Sequence, residues 1–222
     1  MNRCLFALYE GSNIHHFDSN GEKAIFVQKK TFILSNMLKQ FFCKVLFGAI
    51  LLVLVSCASG QQKQDFNTSK VYTSVKCQAD TNVSYALFLP PQYKKGKPCP
   101  LLILFDSHGD GLLPVNLFNK DAAKSGFILA GSNNSKNGLP TEQTTDFYRK
   151  MIADLTARFD IEKRAIYVCG FSGGSRVAGA VAITEAGIAG VVGCGAGLPN
   201  INQKPVNDFS YLAVVGSRDF NF

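Results

Sequence analysis

Residues 170–174, Gly-Phe-Ser-Gly-Gly, have the types and spacing in this chain that best suit chemistry. The apolar run at 165–169 predicts a strand that stops at a glycine, and the residues after 174 predict a helix. A serine at the tip of so sharp a turn has a strained backbone, and glycines beside it leave room for the adjoining strand and helix. Its hydroxyl is then exposed near the start of a helix, where negative charge is favoured. The spacing Gly-x-Ser-x-Gly is typical of a nucleophilic serine.

Two other interpretations of this stretch follow from its composition. Glycine and serine are common in turns, so an ordinary strand-to-helix connection remains an alternative at this point. A phosphate-binding loop is disfavoured, because its motif requires Gly-Lys-Ser/Thr and no lysine follows Gly174.

Strands and helices that alternate along the chain must position this turn. Apolar runs predict strands at residues 83–90, 100–105, 127–130, 165–169, 188–194 and 211–215, and periodic apolar positions predict helices at 117–125, 141–159 and 175–186. Thr141 is the predicted N-cap of the longest helix. This alternation predicts the α/β class, with a mainly parallel sheet flanked by helices.

Four polar features follow predicted strand ends. They are Ser172, the loops at 106–111 and 131–138, and Asp219. Ligands of such sheets bind outside the carboxyl ends of the strands. We therefore expect these four features to lie at one edge of the sheet and to form one site.

The composition of the chain excludes several functional classes. Its 222 residues suffice for one domain with a sizeable core, and 46% hydrophobic with 18% charged residues indicates a globular protein. The net charge is +7, but no basic run or basic helix face is present, so no nucleic-acid partner is expected. His15 and His16 are adjacent without further ligands, so no metal or cofactor site is predicted.

The segment before the predicted domain resembles a bacterial lipoprotein signal peptide. Lys39 and Lys44 precede an apolar run at 45–55, which is too short to span a bilayer and suits a signal-peptide core. The run ends in residues 54–57, Leu-Val-Ser-Cys, which resemble a lipobox. The resemblance implies cleavage before Cys57, a lipid anchor on that cysteine, and a periplasmic or outer-surface location at a bacterial membrane. The alternative is a buried helix that ends in cysteine.

The resulting domain organisation has four parts. We interpret Met37 as the true start, so that residues 1–36 are a non-native upstream extension. The signal peptide is then 37–56, a lipidated tether is 57–78, and an α/β domain is 79–222.

The four cysteines after Cys57 fall into two groups. Export permits disulfides, so Cys77 and Cys99, which flank the first predicted strand, are a candidate pair. Cys169 and Cys194 lie in apolar strands, and we expect them to be small buried side chains.

Residues 80–222 resemble the α/β-hydrolase superfamily, most closely its exported esterase and prolyl-oligopeptidase-like branches. The resemblance rests on the Gly-x-Ser-x-Gly turn, on the His108-Gly109 loop after an early strand, and on Gly216-x-x-Asp219 after a late one. It implies that Ser172 attacks an ester carbonyl and that Asp219 is the catalytic acid.

The resemblance also implies an oxyanion site. The donors carried over are the N–H of Gly173, directly after the nucleophile, and an N–H from the early loop at Gly109 or Asp110. The implied partners are a small ester or peptide substrate and, through Cys57, a membrane.

One member of the implied catalytic triad is missing from the sequence. The family's histidine comes after the acid, yet only residues 220–222 follow Asp219. His108, the sole histidine after the signal segment, could serve as base only in a different fold with another triad order. We therefore expect an α/β-hydrolase domain that lacks its last strand and helix, with greatly reduced serine esterase activity. Two alternatives remain: a non-catalytic, ligand-binding lipoprotein and a prolyl-oligopeptidase-type peptidase.

Overall fold

The computed structural model describes residues 65–218 in full and, before them, only the backbone of residues 7–10, 13–17 and 23–24. The chain divides into two units, Met1–Gln64 and Asp65–Phe222. In the first unit, three short strands form an antiparallel sheet: β1 (Ala7–Glu10), β2 (Asn13–Phe17) and β3 (Lys23–Ala24). The predicted signal-peptide core at 45–55 and the predicted lipidation site Cys57 lie outside the described residues.

The second unit contains a seven-stranded sheet with helices on both faces. Its strands are β4 (Val71–Lys76), β5 (Ser84–Phe88), β6 (Cys99–Phe105), β7 (Ile128–Ser132), β8 (Ile161–Phe171), β9 (Gly190–Cys194) and β10 (Ser210–Val214). The helices are α1 (Leu112–Ser125), α2 (Thr141–Arg158) and α3 (Gly173–Thr184). None of the described helices is long and apolar enough to cross a bilayer.

The sheet is mainly parallel, as the sequence predicted. Its strand order is β10-β9-β8-β6-β7-β5-β4. The five strands from β10 to β7 in this order run parallel to one another. β5 is antiparallel to both of its neighbours, β7 and β4. The predicted α/β class, with helices flanking a mainly parallel sheet, is confirmed.

The core lies on both faces of the central strand β6. Leu101 and Ile103 of this strand are fully buried in an apolar cluster with α2 and α3, whereas Leu104 packs into a second cluster with α1. Burial of apolar surface stabilises a fold by about 25 cal/mol per Å². The continuous apolar run at 100–105 was predicted to be a strand buried on both faces, and it is.

The N-terminal edge of the sheet corrects the predicted domain boundary. β4 lies within the segment 57–78 that was predicted as a tether, and it pairs with β5. Val75 is the one buried residue of β4, and the exposed residues of this strand, Thr73, Ser74 and Lys76, are all polar. An edge strand with so little apolar surface does not show the alternation that predicts strands.

Two helix starts also differ from the prediction. α1 begins at Leu112, earlier than the predicted 117, because Asp110 caps it: the Asp110 carboxylate accepts hydrogen bonds from the N–H groups of Leu112 and Leu113 at 3.1 and 3.2 Å. Thr141 is not an N-cap. Pro140 occupies that position with extended backbone, and Thr141 is the first helical residue.

A buried carboxylate fixes α2 to the N-terminal part of the domain. Asp154 accepts hydrogen bonds from the hydroxyl of Tyr85 and from Arg158 Nε, each at 2.7 Å, and from the N–H of Gln78 at 2.8 Å. Burial and then the Asp154 carboxylate raise the pKa of the Tyr85 hydroxyl, which therefore stays protonated as the donor. A paired and hydrogen-bonded carboxylate of this kind holds α2 in one position relative to the sheet.

The structure corrects the candidate disulfide. Cys77 and Cys99 are both free thiols. Cys99 Sγ lies 2.9 Å from the carbonyl of Gly126 as a hydrogen-bond donor. Burial, then the nearby Asp154 carboxylate, raises the pKa of Cys77 to about 12. Of the other two cysteines, Cys169 is buried and Cys194 is half-buried.

Candidate active site

Ser172 occupies the turn between β8 and α3 with a strained backbone. Its φ of 53° and ψ of −116° lie in a region that L-residues rarely adopt, and such strain costs about 1–3 kcal/mol. The surroundings hold it there: the Ser172 N–H donates to the carbonyl of Cys194 at 2.7 Å, and the Ser172 carbonyl accepts from the N–H of Ser175 at 3.1 Å. The predicted strand–turn–helix with the serine at its tip is confirmed.

Two glycines make the sharpness of this turn possible. A Cβ on Gly170 would collide with the carbonyl group of Gly174, and a Cβ on Gly174 would collide with the carbonyl group of Phe105 at the end of β6. Both neighbours are backbone atoms that cannot move aside. The glycines thus allow α3 to start directly against β6 and β8, which confirms the steric reason inferred from the sequence.

The turn at residues 170–174, called the elbow below, lies at the point in the sheet from which successive strands are added on opposite sides. β6 continues through α1 to β7 on one side, whereas β8 continues through α3 to β9 on the other. The carboxyl ends of β6 and β8 therefore open a crevice between diverging loops. Hydrogen bonds connect three loops here: Ser107 Oγ donates to the carbonyl of Phe171, and the N–H of Asn137 donates to the carbonyl of Ser107, both at 2.8 Å.

A cleft of about 440 Å³ opens beside Ser172. This volume falls within the range of small-molecule sites. Its walls come from the loop after β7, the first turn of α2, the exposed face of α3 and the segment after β9. The lining residues are Lys136, Asn137, Gly138, Leu139, Thr141, Thr144, Ser172, Gly173, Arg176, Val177, Ala180, Ala196 and Pro199.

Gly173 lies at the N-terminus of α3, where negative charge is favoured, and its role as an oxyanion donor stays a prediction. It is the first residue of α3, so its N–H has no carbonyl partner within the helix. The side-chain amide of Asn137 lies against it, where a Cβ on Gly173 would stand. The positive end of the α3 dipole adds to this preference for negative charge.

The early loop holds its own N–H groups in a different arrangement. The Gly109 N–H points to the Asp106 carbonyl at 3.5 Å, and the Asp110 N–H points to Asp106 Oδ2 at 3.4 Å. The same carboxylate accepts from the N–H of His108 at 2.6 Å. Since both N–H groups already face Asp106, the roles of Gly109 and Asp110 as oxyanion donors stay predictions.

His108 lies on the outside of this loop. Its side chain is 86% exposed, and its Nδ1 lies 3.5 Å from Asp106 Oδ2. It is the sole histidine within residues 65–218. The predicted acid, Asp219, lies outside the described residues, although β10 before it runs parallel to β9 and therefore ends at the same sheet edge as Ser172.

Four polar side chains of the cleft were not singled out in the sequence: Lys136, Asn137, Arg176 and Thr144. The first two belong to the loop at 131–138, which was expected to line a site. Arg176 follows Ser172 by four residues, and the helical period places such residues on one face. That spacing is the signal that could have identified it. No cluster of three or more metal-ligating side chains occurs in the part of the chain that the structure describes.

Comparisons with known proteins identify the fold. No family profile and no curated protein matches this chain. Among solved structures, a feruloyl esterase module from Clostridium thermocellum, complexed with sinapinate, aligns with a TM-score of 0.51 at 13% identity, over 67% of this chain and 65% of that one. A thermostable esterase aligns at 0.48 and 13% identity, over 67% and 55%. A hyperthermophilic esterase from the archaeon Pyrobaculum calidifontis aligns at 0.45 and 17% identity, over 73% and 56%.

This chain spans less than two thirds of the length of each of these structures. At such low identity the likeness concerns the fold alone. The likeness agrees with the strand order, the strained serine after β8 and the crevice at the strand ends. The described part of the second unit, residues 65–218, has the α/β-hydrolase fold.

Proposed function

We propose that the protein is a serine hydrolase that cleaves ester bonds by acyl transfer to Ser172. The observation that carries the proposal is the strained Ser172 at the N-terminus of α3, facing a cleft of about 440 Å³. Hydrogen bonds hold this turn in a strained conformation, and such strain is typical of sites where a side chain must be presented to a ligand. Similarity to esterases supports ester cleavage at the level of the fold.

The reaction is nucleophilic acyl transfer. Ser172 Oγ attacks the ester carbonyl carbon, and the negative charge that develops on the carbonyl oxygen is held by the Gly173 N–H at the start of α3. The bond to the alcohol then breaks, the alcohol leaves with a proton, and the acyl group remains on Ser172. Water hydrolyses this intermediate and releases the acid.

The remaining catalytic roles are part of the proposal. Asp219, shortly after β10, is the proposed acid, and a second oxyanion donor comes from the loop at 106–111. The general base is unassigned among residues 65–218, because their sole histidine, His108, faces Asp106 from the outside of that loop. A second candidate function is binding of a ligand in the cleft of about 440 Å³ without turnover.

We also propose that the protein is anchored to a bacterial membrane through a lipid on Cys57. The support is the sequence alone: two lysines, an apolar run at 45–55 and a cysteine directly after it. Metabolic labelling with an alkyne-bearing palmitate in a bacterial host should mark the wild-type protein and leave Cys57→Ala unmarked. Equal labelling of the two would contradict the anchor.

Acylation of Ser172 by p-nitrophenyl acetate tests the enzymatic proposal. The wild-type chain should release p-nitrophenol at least about tenfold faster than Ser172→Ala, and mass spectrometry should find the acetyl group on the peptide that contains Ser172. Ser69→Ala is a matched control, because Ser69 also has a positive φ, 61°, and does not line the cleft. If Ser172→Ala reacts as fast as wild type and no acetyl group is found on Ser172, the cleft is a binding site only.

A further inference from the structure

We propose that the cleft selects esters that carry an anionic group, a carboxylate in the simplest case, about one helical turn from the reacting carbonyl. Arg176 is the specificity-determining residue, and Lys136 assists from the opposite loop. This inference rests on the proposed function only in placing the reacting carbonyl at Ser172.

The charge of the cleft lining carries the inference. The lining contains two cationic side chains, Lys136 and Arg176, and no carboxylate. The polar groups beside them are Asn137 and the hydroxyls of Thr141, Thr144 and Ser172. A concave surface lined by one sign of charge raises the local concentration of ligands of the opposite sign.

The two cleft cations differ from the cations of α2. Arg149 pairs with Glu142 and Glu185, Lys150 pairs with Asp80 and Asp146, and Arg158 pairs with Asp154. Within residues 65–218, neither Lys136 nor Arg176 forms an ion pair. Their charges are therefore available to a ligand without the cost of breaking an existing salt bridge.

The helical spacing sets the distance at which the anion binds. Arg176 lies on α3, four residues after Ser172, which directly precedes the helix, and this spacing corresponds to a rise of about 6 Å along the helix axis. An extended chain of roughly four to six bonds spans this distance. The guanidinium group can hold a carboxylate through two parallel hydrogen bonds, whereas Lys136 acts as a point charge.

The α3 face at and beyond Arg176 contributes short apolar side chains to the cleft. Val177 and Ala180 line the cleft on α3, and Ala196 and Pro199 line it from the segment after β9. These short apolar side chains favour methylene groups, so an aliphatic dicarboxylate monoester fits the lining, with its ester at Ser172, its carboxylate at Arg176 and its methylene groups against the apolar side chains.

A matched pair of uncleaved amides tests this selectivity without requiring turnover. N-butyl adipamic acid carries a carboxylate five bonds from the amide carbonyl, and N-butylhexanamide has the same chain with a methyl group instead. Dissociation constants are measured by NMR titration with the wild-type chain at low salt and at 0.5 M NaCl. We expect the acid to bind about tenfold more tightly at low salt, and the preference should shrink at high salt because exposed charges are screened.

Three variants separate the cleft cations from the general charge of the protein. Arg176→Gln should reduce the preference for the acid to less than about threefold, and Lys136→Gln should reduce it by a smaller factor. Arg164→Gln removes one positive charge from an exposed residue near the start of β8, at the other end of the strand from Ser172, and should keep the wild-type preference. If the wild-type chain binds N-butyl adipamic acid and N-butylhexanamide with equal affinity, the inference is wrong. It is also wrong if Arg164→Gln reduces the preference for the acid as much as Arg176→Gln does.

The acetylation assay distinguishes the two proposals. Acetylated Ser172 together with equal binding of both amides would overturn the anion selectivity and leave the serine hydrolase standing. Selective binding of the acid that is lost in Arg176→Gln supports the anion site, even where Ser172 is not acetylated.

Discussion

The elbow around Ser172 and the edge strand β10 belong to the same sheet but differ in packing. At the elbow, Gly174, Ser175 and Ala178 are buried, and backbone atoms of three elements meet at contact distance. At the edge, every residue of β10 is exposed, including Leu212 at 58%. β9 lies between the two regions and supplies the Cys194 carbonyl that holds the Ser172 N–H. The difference indicates that backbone packing around β6, β8 and α3 holds Ser172 in its strained conformation, whereas the exposed residues of β10 contribute little buried surface.

The largest effect is expected from a side chain at Gly174. Gly174→Val places atoms on the carbonyl of Phe105, which cannot move without displacing the end of β6. We expect a loss of more than about 3 kcal/mol in the free energy of unfolding, or failure to fold. Urea unfolding followed by circular dichroism measures it. The edge substitution Val214→Ala should change the same quantity by less than about 0.5 kcal/mol, and similar losses in both variants would contradict the comparison.

The next effect is a loss of stability at alkaline pH through Cys169, the residue before Gly170. Burial first, then the contact with Cys194, raises the pKa of Cys169 from 9.0 to about 12. The unfolded thiol loses its proton above about pH 9 while the native thiol keeps it, so the native state binds more protons. Stability is therefore complete below pH 9 and falls as the pH rises towards 12, by up to about 1.4 kcal/mol per pH unit.

Urea unfolding at pH 8.5, 9.5 and 10.5 measures this slope. The slope should be shallower in Cys169→Ala than in the wild-type chain, and Leu212→Ser at the edge should keep the wild-type slope. A Cys169→Ala variant with an unchanged slope would show that the buried thiol does not contribute.

A smaller effect, with the opposite sign, is expected from Ser172→Gly. Glycine adopts a positive φ without strain, so the variant should gain about 1 kcal/mol in the free energy of unfolding. It should also lose acetylation by p-nitrophenyl acetate. A gain in stability together with a loss of reactivity would show that the strained turn lowers stability in order to present the Ser172 hydroxyl. A variant that is less stable than wild type would contradict that interpretation.

The smallest effect on stability is expected at Leu212. Because this side chain is 58% exposed, Leu212→Ser should change the free energy of unfolding by less than about 0.5 kcal/mol. Since an exposed apolar edge strand is a template for pairing with other chains, the variant should self-associate less. Sedimentation velocity at several concentrations compares it with wild type, and equal self-association would mean that the edge strand is not the contact.

The sequence predicted those parts of the fold whose causes are local. The central strand β6 is a continuous apolar run between turn residues, and the elbow is a strand followed by Gly170, Ser172 and Gly174. Their steric requirements arise among residues close in the chain or between neighbouring backbones, so residue types alone indicate them. β4 was missed because an edge strand that buries only Val75 has no apolar alternation.

The site was predicted less completely because its details depend on distant contacts. The proposed role of Arg176 depends on a cleft whose other walls come from α2 and from the segment after β9, which are distant from it along the chain. The N–H of Gly109 faces the Asp106 main-chain carbonyl and the N–H of Asp110 faces the Asp106 carboxylate, and the order of residues does not state these contacts of the folded loop. The spacing of motifs thus located the strained serine, whereas the other side chains that line the cleft required the assembled sheet.

Two hydrogen bonds from the elbow to the segment around the end of β9 bear on how such a protein can diversify. The Ser172 N–H donates to the carbonyl of Cys194, and Ser175 Oγ donates to the carbonyl of Ala196 at 2.7 Å. Both acceptors are main-chain groups, which every amino acid supplies equally. A substitution at position 196, which lines the cleft, can therefore alter the chemistry of a cleft wall without removing the acceptor that holds the elbow, so that ligand preference can drift over generations while the conformation of Ser172 is inherited unchanged.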